Sequence, residues 1–302
     1  FKKYKIVSMP PPSSGGIHVV EILNLLEPLP LKKWGAFDPK SIHWNASSMQ
    51  MAFADRAKYL GDSDFVKVPV SGLIDKNYAK KLRDSIGTKA RSSKDVEPGN
   101  PWPFNNPYES DQTTHFSIID DQGNAVSSTQ TINYLLGSGV VAEGSGVVLN
   151  DEMDDFAAKL GAKNVFGAVG GENNLVAPGK RALSSMSPSL VFSNEGVTLA
   201  LGSPSGTRII TCVTNTILNH LEYSMPLYKA VTALRYHHQW SPDEIRVDQP
   251  GFSKDLTDSL TQMGYKIRVK DLGCRVNAVN RVNGVLTAVS DPRGEGSALA
   301  GN

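Results

Sequence analysis

Apolar residues recur along this chain in two rhythms. From 17 to 26 and from 41 to 60 they return every three to four residues, the period of an amphipathic helix, and Ala52, Ala54 and Ala57 favour that state in the second run. Ser13-Ser14-Gly15-Gly16 ahead of the first run reads as a helix start, and Pro10-Pro11-Pro12 closes a short strand over 4–9. A shorter helix is expected over 77–86. The rhythm is then lost. Residues 91–112 carry Pro98, Pro101, Pro103 and Pro107 among Ser, Asn and Gly, the make-up of an exposed loop, and such loops are where chains are cut.

Alternation takes over next. Thr114, Phe116 and Ile118 share one parity, and His115, Ser117 and Ile119 the other, which predicts a strand over 114–120. Asp121-Gln122-Gly123-Asn124 makes the turn, and 125–133 the return strand, with Thr131 and Asn133 on one parity. Two more strands are expected within 187–202, then helices over about 209–221 and 226–236, and strands near 265–269, 274–281 and 284–289. Strands gathered around a hairpin, with helices flanking them in sequence, predict a layered α/β or α+β domain.

Composition narrows the classes. The chain has 302 residues, 40% hydrophobic, enough for one large domain or two small ones. Its 31 basic and 30 acidic residues leave a net charge of +1, which gives no electrostatic footprint for nucleic acid or an anionic membrane. No apolar run approaches a transmembrane span. Cys212 and Cys274 are compatible with one disulfide or with two buried thiols, and without a CxxC pair neither a zinc site nor a redox motif is indicated. Gly137, Gly139, Gly144 and Gly146 match neither a phosphate-binding nor a dinucleotide fingerprint. The start at Phe1, close to a strand and with no signal peptide, suggests a segment upstream.

One residue carries the sharpest chemistry. Thr113 stands where the polar loop meets the strand. If the chain is cut before it, between Gln112 and Thr113, the freed α-amino group lies beside the hydroxyl and can act as its base. His115, His237 and His238 form no metal-ligand pattern and read as structural histidines.

Several strings then converge. They are Ser8-Met9-Pro10-Pro11-Pro12-Ser13-Ser14-Gly15-Gly16, Ala54-Asp55-Arg56, Gln112-Thr113-Thr114-His115-Phe116-Ser117 and Leu149-Asn150-Asp151-Glu152-Met153-Asp154-Asp155-Phe156. Further on stand Leu183-Ser184-Ser185-Met186-Ser187-Pro188, Gly202-Ser203-Pro204-Ser205-Gly206-Thr207-Arg208 and Tyr236-His237-His238-Gln239-Trp240. Together, in this order, they closely resemble the γ-glutamyltransferase (γ-glutamyltranspeptidase) family of N-terminal-nucleophile hydrolases, over 1 to about 293.

The resemblance implies an α+β fold, a four-layer αββα sandwich that is incomplete here because the family's upstream half is absent. Residues 1–112 would match the end of the large subunit with its linker, and 113–302 the small subunit, the two forming one structural domain. It implies self-cleavage before Thr113, attack of Thr113 on a γ-glutamyl amide, and passage of the acyl group to water or an amine. Thr131 would hydrogen-bond the nucleophile and Asn133 would contact substrate. Glu152 and Asp155 would accept from the substrate ammonium, Ser184 and Ser185 would donate to its carboxylate, and the N–H groups of Ser205 and Gly206 would form the oxyanion hole. No cofactor or metal is implied. The partners implied are a γ-glutamyl small molecule and an upstream large-subunit segment that supplies a carboxylate-binding arginine, in a periplasmic or extracellular setting. Taken singly, Asn133 also reads as a strand end, Glu152 to Asp155 as an acidic helix start, Ser184-Ser185 as a turn and Gly206 as a turn glycine.

This chain departs from the family pattern at Ser205, where glycine is usual, and at Phe166, which stands where many bacterial members have a lid tyrosine. Two other readings fit the same motifs: a cephalosporin acylase-like amidase, and an uncut, non-catalytic homologue acting as a binding module.

Overall fold

The longest apolar-periodic run becomes the longest helix, Pro39–Tyr59, capped by Asp38, whose carboxylate accepts from Lys40 N at 2.8 Å. A computed structural model describes residues 1–102, 115–161 and 169–301. Gln112, Thr113, Thr114 and Phe166 lie outside the described residues. The first stretch holds β1 (Lys5–Ser8), α1 (Gly15–Leu26), α2 (Leu31–Trp34), α3 (Pro39–Tyr59), α4 (Val70–Leu73) and α5 (Lys76–Asp84). The rest holds β2 (His115–Ile119), β3 (Ala125–Thr129), β4 (Ser189–Ser193), β5 (Gly196–Gly202), α6 (Arg208–Ile217), α7 (Leu227–Thr232), β6 (Tyr236–His237), β7 (Ile245–Val247), α8 (Lys254–Gln262), β8 (Ile267–Val269), β9 (Asn277–Val282) and β10 (Val285–Ser290).

An antiparallel sheet in the order β1-β4-β5-β9-β10 forms the centre. Helices α1, α3 and α6 cover one face. Ile22 and Leu26 of α1, Met49 and Phe53 of α3 and Val213 of α6 meet Val191, Leu199 and Leu201 of the sheet in one buried core. Burying side chains of this size is worth roughly 1.5–3 kcal/mol each, and this core is what holds the helices on the sheet.

The β2–β3 hairpin lies against the other face, β2 over β9 and β5, and β3 over β5 and β4. Polar ties fix it there. Ser127 Oγ donates to Leu201 O and accepts from Ser189 N, both at 3.0 Å, and Asn277 Nδ2 donates to His115 O at 3.2 Å. Gly202 must be small, because a Cβ there would fall 2.3 Å from the His115 ring. The structure is thus mixed helix and sheet, with helices on one side of a sheet and a hairpin on the other.

Several expectations change. The return strand ends at Thr129, so Thr131 and Asn133 sit on the loop beyond it. The loop leaves the ladder because Asn133 adopts a positive φ of 70° and its N–H turns back to Thr131 Oγ1 at 2.7 Å. The helix expected over 226–236 stops at Thr232, and Tyr236–His237 is a strand paired with β7. Strand β7 and helix α8 were not expected from the pattern. Cys212 and Cys274 form a disulfide, which resolves the alternatives left by the sequence. Among the described residues no helix is long and apolar enough to cross a membrane.

Candidate active site

Two glycines let distant parts of the chain meet. A Cβ on Gly15 would fall 1.9 Å from Met186 O, and one on Gly16 would fall 2.4 Å from Met9 O. Backbone therefore passes backbone at van der Waals distance, and Ser13 and Ser184 pair as an isolated parallel bridge. Ser14 was expected to start the helix. It does sit at the N-cap of α1, but its side chain makes no capping bond. Instead Ser14 Oγ donates to Ser184 O at 2.8 Å, Ser13 Oγ donates to Met186 O at 2.8 Å, and Ser184 N donates to Pro12 O at 3.0 Å. Residues 12–16 form a cradle for 184–186.

Arg56 reaches the same place from α3. Nε donates to Ser14 Oγ at 2.9 Å and Nη2 to Ser185 Oγ at 3.0 Å, in a position 4% exposed. Asp55, its neighbour in sequence, is not its counter-ion. Asp55 accepts from Tyr78 Oη and from Gly99 N, and burial beside Glu21 holds its carboxyl well above the usual range. Burial likewise pushes Glu21 up to about 8, and brings His18 down to about 3. Asp55 is thus held by Tyr78 and Gly99, and the Arg56 fork faces Ser14 and Ser185. Burial lowers its own pKa to about 10, and Asp155 works against that shift.

Asp155 closes a single turn of 3-10 helix, Glu152–Asp155. Glu152 and Asp155 stand three residues apart in it, about one turn of such a helix. Burial raises the Asp155 carboxyl to about 6, with Arg56 opposing and Asp151 and Asp154 adding to the rise. Asn174 Nδ2 donates to Asp155 O at 2.8 Å and Asn133 Nδ2 to Asp151 O at 3.2 Å, which ties this turn to two loops.

The third component is the turn between β5 and α6. Ser205 has φ +123° and Gly206 φ +54°, both in the region that L-residues avoid. Among the described residues, neither amide N–H is spent on a backbone hydrogen bond. The serine at the usual glycine position thus still takes up a glycine-like conformation.

These pieces line one cavity of about 160 Å³. Thr131 and Asn133 stand on one side, Asp155, Ser184 and Ser185 on another, and Pro204 to Thr207 on a third. Glu152 does not line it. A larger, mainly apolar hollow of about 500 Å³ lies between β2, β9, β10 and 296–301. Several of its polar side chains are engaged: His115 with Ser117 at 2.8 Å, and Asn277 with His115 O. Most of the site residues expected from the sequence line the smaller cavity. His237 sits behind the turn, held by Thr211 Oγ1 at 2.8 Å and Gln239 Oε1 at 2.7 Å, and burial keeps it neutral with a pKa near 3.

The sequence model of the family described as Gamma-glutamyltranspeptidase matches residues 1–301. The chain belongs to this family. Among its γ-glutamyltranspeptidase relatives is a "Glutathione hydrolase proenzyme" of Escherichia coli (strain K12), 46% identical over 303 residues that cover 100% of this chain and 51% of the relative. An "Acylase ACY 1 proenzyme" of Pseudomonas sp. (strain SE83) is 32% identical over 99% of this chain and 50% of its own length. A solved acivicin-inhibited gamma-glutamyltranspeptidase, said to reveal critical roles for its C-terminus in autoprocessing and catalysis, superposes with a TM-score of 0.59 at 47% identity. It covers 61% of this chain and 100% of that one. The chain spans about half the length of the curated relatives it matches.

Arg56, which bonds Ser185 without lining the cavity, appeared in the sequence only within the Ala54-Asp55-Arg56 string and was given no role of its own.

Proposed function

We propose that this γ-glutamyltranspeptidase-family chain carries the reacting half of an enzyme that cuts itself before Thr113 and then cleaves γ-glutamyl amides. The observation that carries the reading is the single cavity lined by Thr131, Asn133, Asp155, Ser184, Ser185, Ser205 and Gly206. In the first step the Thr113 hydroxyl attacks the Gln112 carbonyl, and the resulting ester hydrolyses. The new α-amine, with an ordinary pKa of about 7.7–8.0, then serves as base for the same hydroxyl. Thr113 attacks the γ-carbonyl, and the developing oxyanion is met by the N–H groups of Ser205 and Gly206. Loss of one such donor costs roughly 10²–10³-fold in rate. The intermediate collapses by expelling the amine, which takes a proton from the Thr113 α-ammonium, and the γ-glutamyl ester left on Thr113 is then attacked by water or an amine, which frees the Thr113 hydroxyl.

The other residues hold the substrate. Asp155 accepts from the α-ammonium, with Glu152 one turn behind it. Ser184 Oγ already accepts from Met186 N at 3.2 Å and Ser185 Oγ from Arg56. Their O–H groups remain able to donate to the α-carboxylate, with the Arg56 cation behind. An upstream large-subunit-like segment completes the site and the fourth layer of the αββα sandwich. The apolar outer side of the hairpin, with Phe116 41% and Ile118 53% exposed, favours a further layer there. The disulfide fits an oxidising, periplasmic or extracellular setting.

Intact mass of the purified protein tests the first step. Two pieces joining at 112/113 are expected, and a Thr113→Ala variant is expected to stay whole and to turn over no γ-glutamyl anilide. Folded wild-type protein that remains in one piece would leave the binding-module reading in its place. The acylase relative favours a second substrate class, and hydrolysis of a glutaryl amide faster than the γ-glutamyl anilide would select it.

A further inference from the structure

We infer that the Cys212–Cys274 disulfide positions the Ser205–Gly206 turn, and that it does so through the Ser205 side chain. The inference rests on the assignment of that turn as the oxyanion-binding element. Ser205 holds a φ of +123°, which a residue with a Cβ keeps only where its surroundings over-determine it. Two hydrogen bonds do this. Ser205 Oγ donates to Leu272 O at 2.5 Å and accepts from Arg208 Nε at 3.0 Å. Gly273 is shaped to admit the hydroxyl, since a Cβ there would fall 3.0 Å from Ser205 Oγ.

The segment that receives the hydroxyl is itself anchored. Leu272 N donates to Asp248 Oδ1 at 2.8 Å, Gly273 N to Asp271 Oδ1 at 2.7 Å and Arg275 N to Ser203 Oγ at 3.1 Å. Its only covalent anchor outside its own chain neighbours, among the described residues, is the disulfide from Cys274 to Cys212. Cys212 lies in α6, the helix that begins two residues after Gly206. Cys212, Leu272 and Cys274 make a small buried cluster of their own. The path therefore closes: from Ser205 through the first turns of α6 to Cys212, across the sulfur bridge to Cys274, back to Leu272, and by hydrogen bond to Ser205.

Opening that ring at the sulfurs frees Leu272 O to move, and Ser205 then has a route to relax toward negative φ. Such a rotation swings the amide between residues 205 and 206 away from the cavity. A glycine at 205 needs no such bracing, because it occupies positive φ without strain. The dependence on the disulfide is thus tied to the serine.

The test is a pair of crossed variants in the full protein that contains this chain, assayed on γ-glutamyl anilide. Cys212→Ala/Cys274→Ala is expected to lower kcat about tenfold with KM changed by less than about twofold, as small misplacements of reacting geometry do. The same cysteine changes in a Ser205→Gly background are expected to alter kcat by less than about twofold, whatever that background's own rate, since no strained residue remains to relax. An equal fall in both backgrounds, or none in the native one, overturns the inference. Amide hydrogen exchange over 203–208 gives a readout independent of chemistry. Faster exchange on loss of the cysteines is expected with Ser205 present and not in the Ser205→Gly background, and exchange that does not differ between them also overturns it. Wild-type protein inactive on the anilide counts against the proposed function alone, and the exchange data then decide the brace. If the alanine pair does not fold, Cys212→Val/Cys274→Ala refills the cluster and is judged by the same outcomes.

Discussion

Two of the cavity's three walls are held by different means. Asp155, Ser184 and Ser185 lie on irregular backbone that is fixed from far away in sequence, by residues 12–16 and by Arg56. Ser205 and Gly206 lie at a strand-to-helix junction, fixed by Arg208, Leu272 and a sulfur bridge. One wall is a long-range polar cradle, and the other is a short covalent ring. On the proposed function, the first would meet the groups that identify a substrate, and the second the place where charge would develop. Damage to the two should therefore separate in KM and kcat.

The largest effect is expected where the cradle admits no atom at all. Gly15→Ala places a methyl against the Met186 carbonyl and should destabilise the fold by roughly 3 kcal/mol, or about 5 °C in Tm by calorimetry. An unchanged melting point would mean the two backbones are not in contact. Next comes Arg56→Gln, which removes the cation and its fork. Charge-assisted hydrogen bonds are worth roughly 1.5–3 kcal/mol, so KM for a γ-glutamyl anilide should rise about 10–100-fold with kcat nearly kept. A fall confined to kcat would break the division between the walls.

Proton binding gives a milder probe. Asp155 titrates at about 6. It must be ionised to accept from an ammonium, so affinity should be full above that pH and be lost as pH falls through it. KM is expected to rise about tenfold per unit below pH 6, and Asp155→Asn should flatten that slope while raising KM throughout. A slope that persists in the variant would assign it to another group. The smallest effect is expected at Ser14→Ala, which removes one donor to Ser184 O and one acceptor for Arg56, for about 1 kcal/mol in denaturant unfolding.

Pattern alone foretold the parts of the fold whose faces differ. Helix α3, the hairpin, and β4 with β5 all showed their periods plainly. Helix α8 did not, because Leu260 is its one buried residue and its other positions are polar or half-exposed. Strand β7 has three residues, too short for alternation to register, and β6 has two, in a stretch that continues an apolar-looking helix. Thr131 and Asn133 kept strand parity in sequence, and only the positive φ at Asn133 reveals the departure. The cavity was legible through linked motifs rather than through period. Ser184 and Ser185 sit on backbone with no repeating pattern, and what fixes them lies about 170 residues away, as the separation between Ser14 and Ser184 records. Arg56 was visible within the Ala54-Asp55-Arg56 string but without a role, because its partners Ser14 and Ser185 lie 42 and 129 residues away.

The central sheet also governs the fate of a broken chain. Strand β1 pairs with β4 through four registered positions, from Lys5 with Phe192 to Ser8 with Ser189. Arg181 clamps Asp62 through two nitrogens, Nε at 3.0 Å and Nη2 at 2.6 Å, and Trp240 Nε1 donates to Ser93 O at 3.0 Å. The stretches before 102 and after 115 are thus interlaced across the whole body of the molecule. A single nick between them would make two polypeptides on a gel and one particle in solution, and separating them would require unfolding rather than dilution.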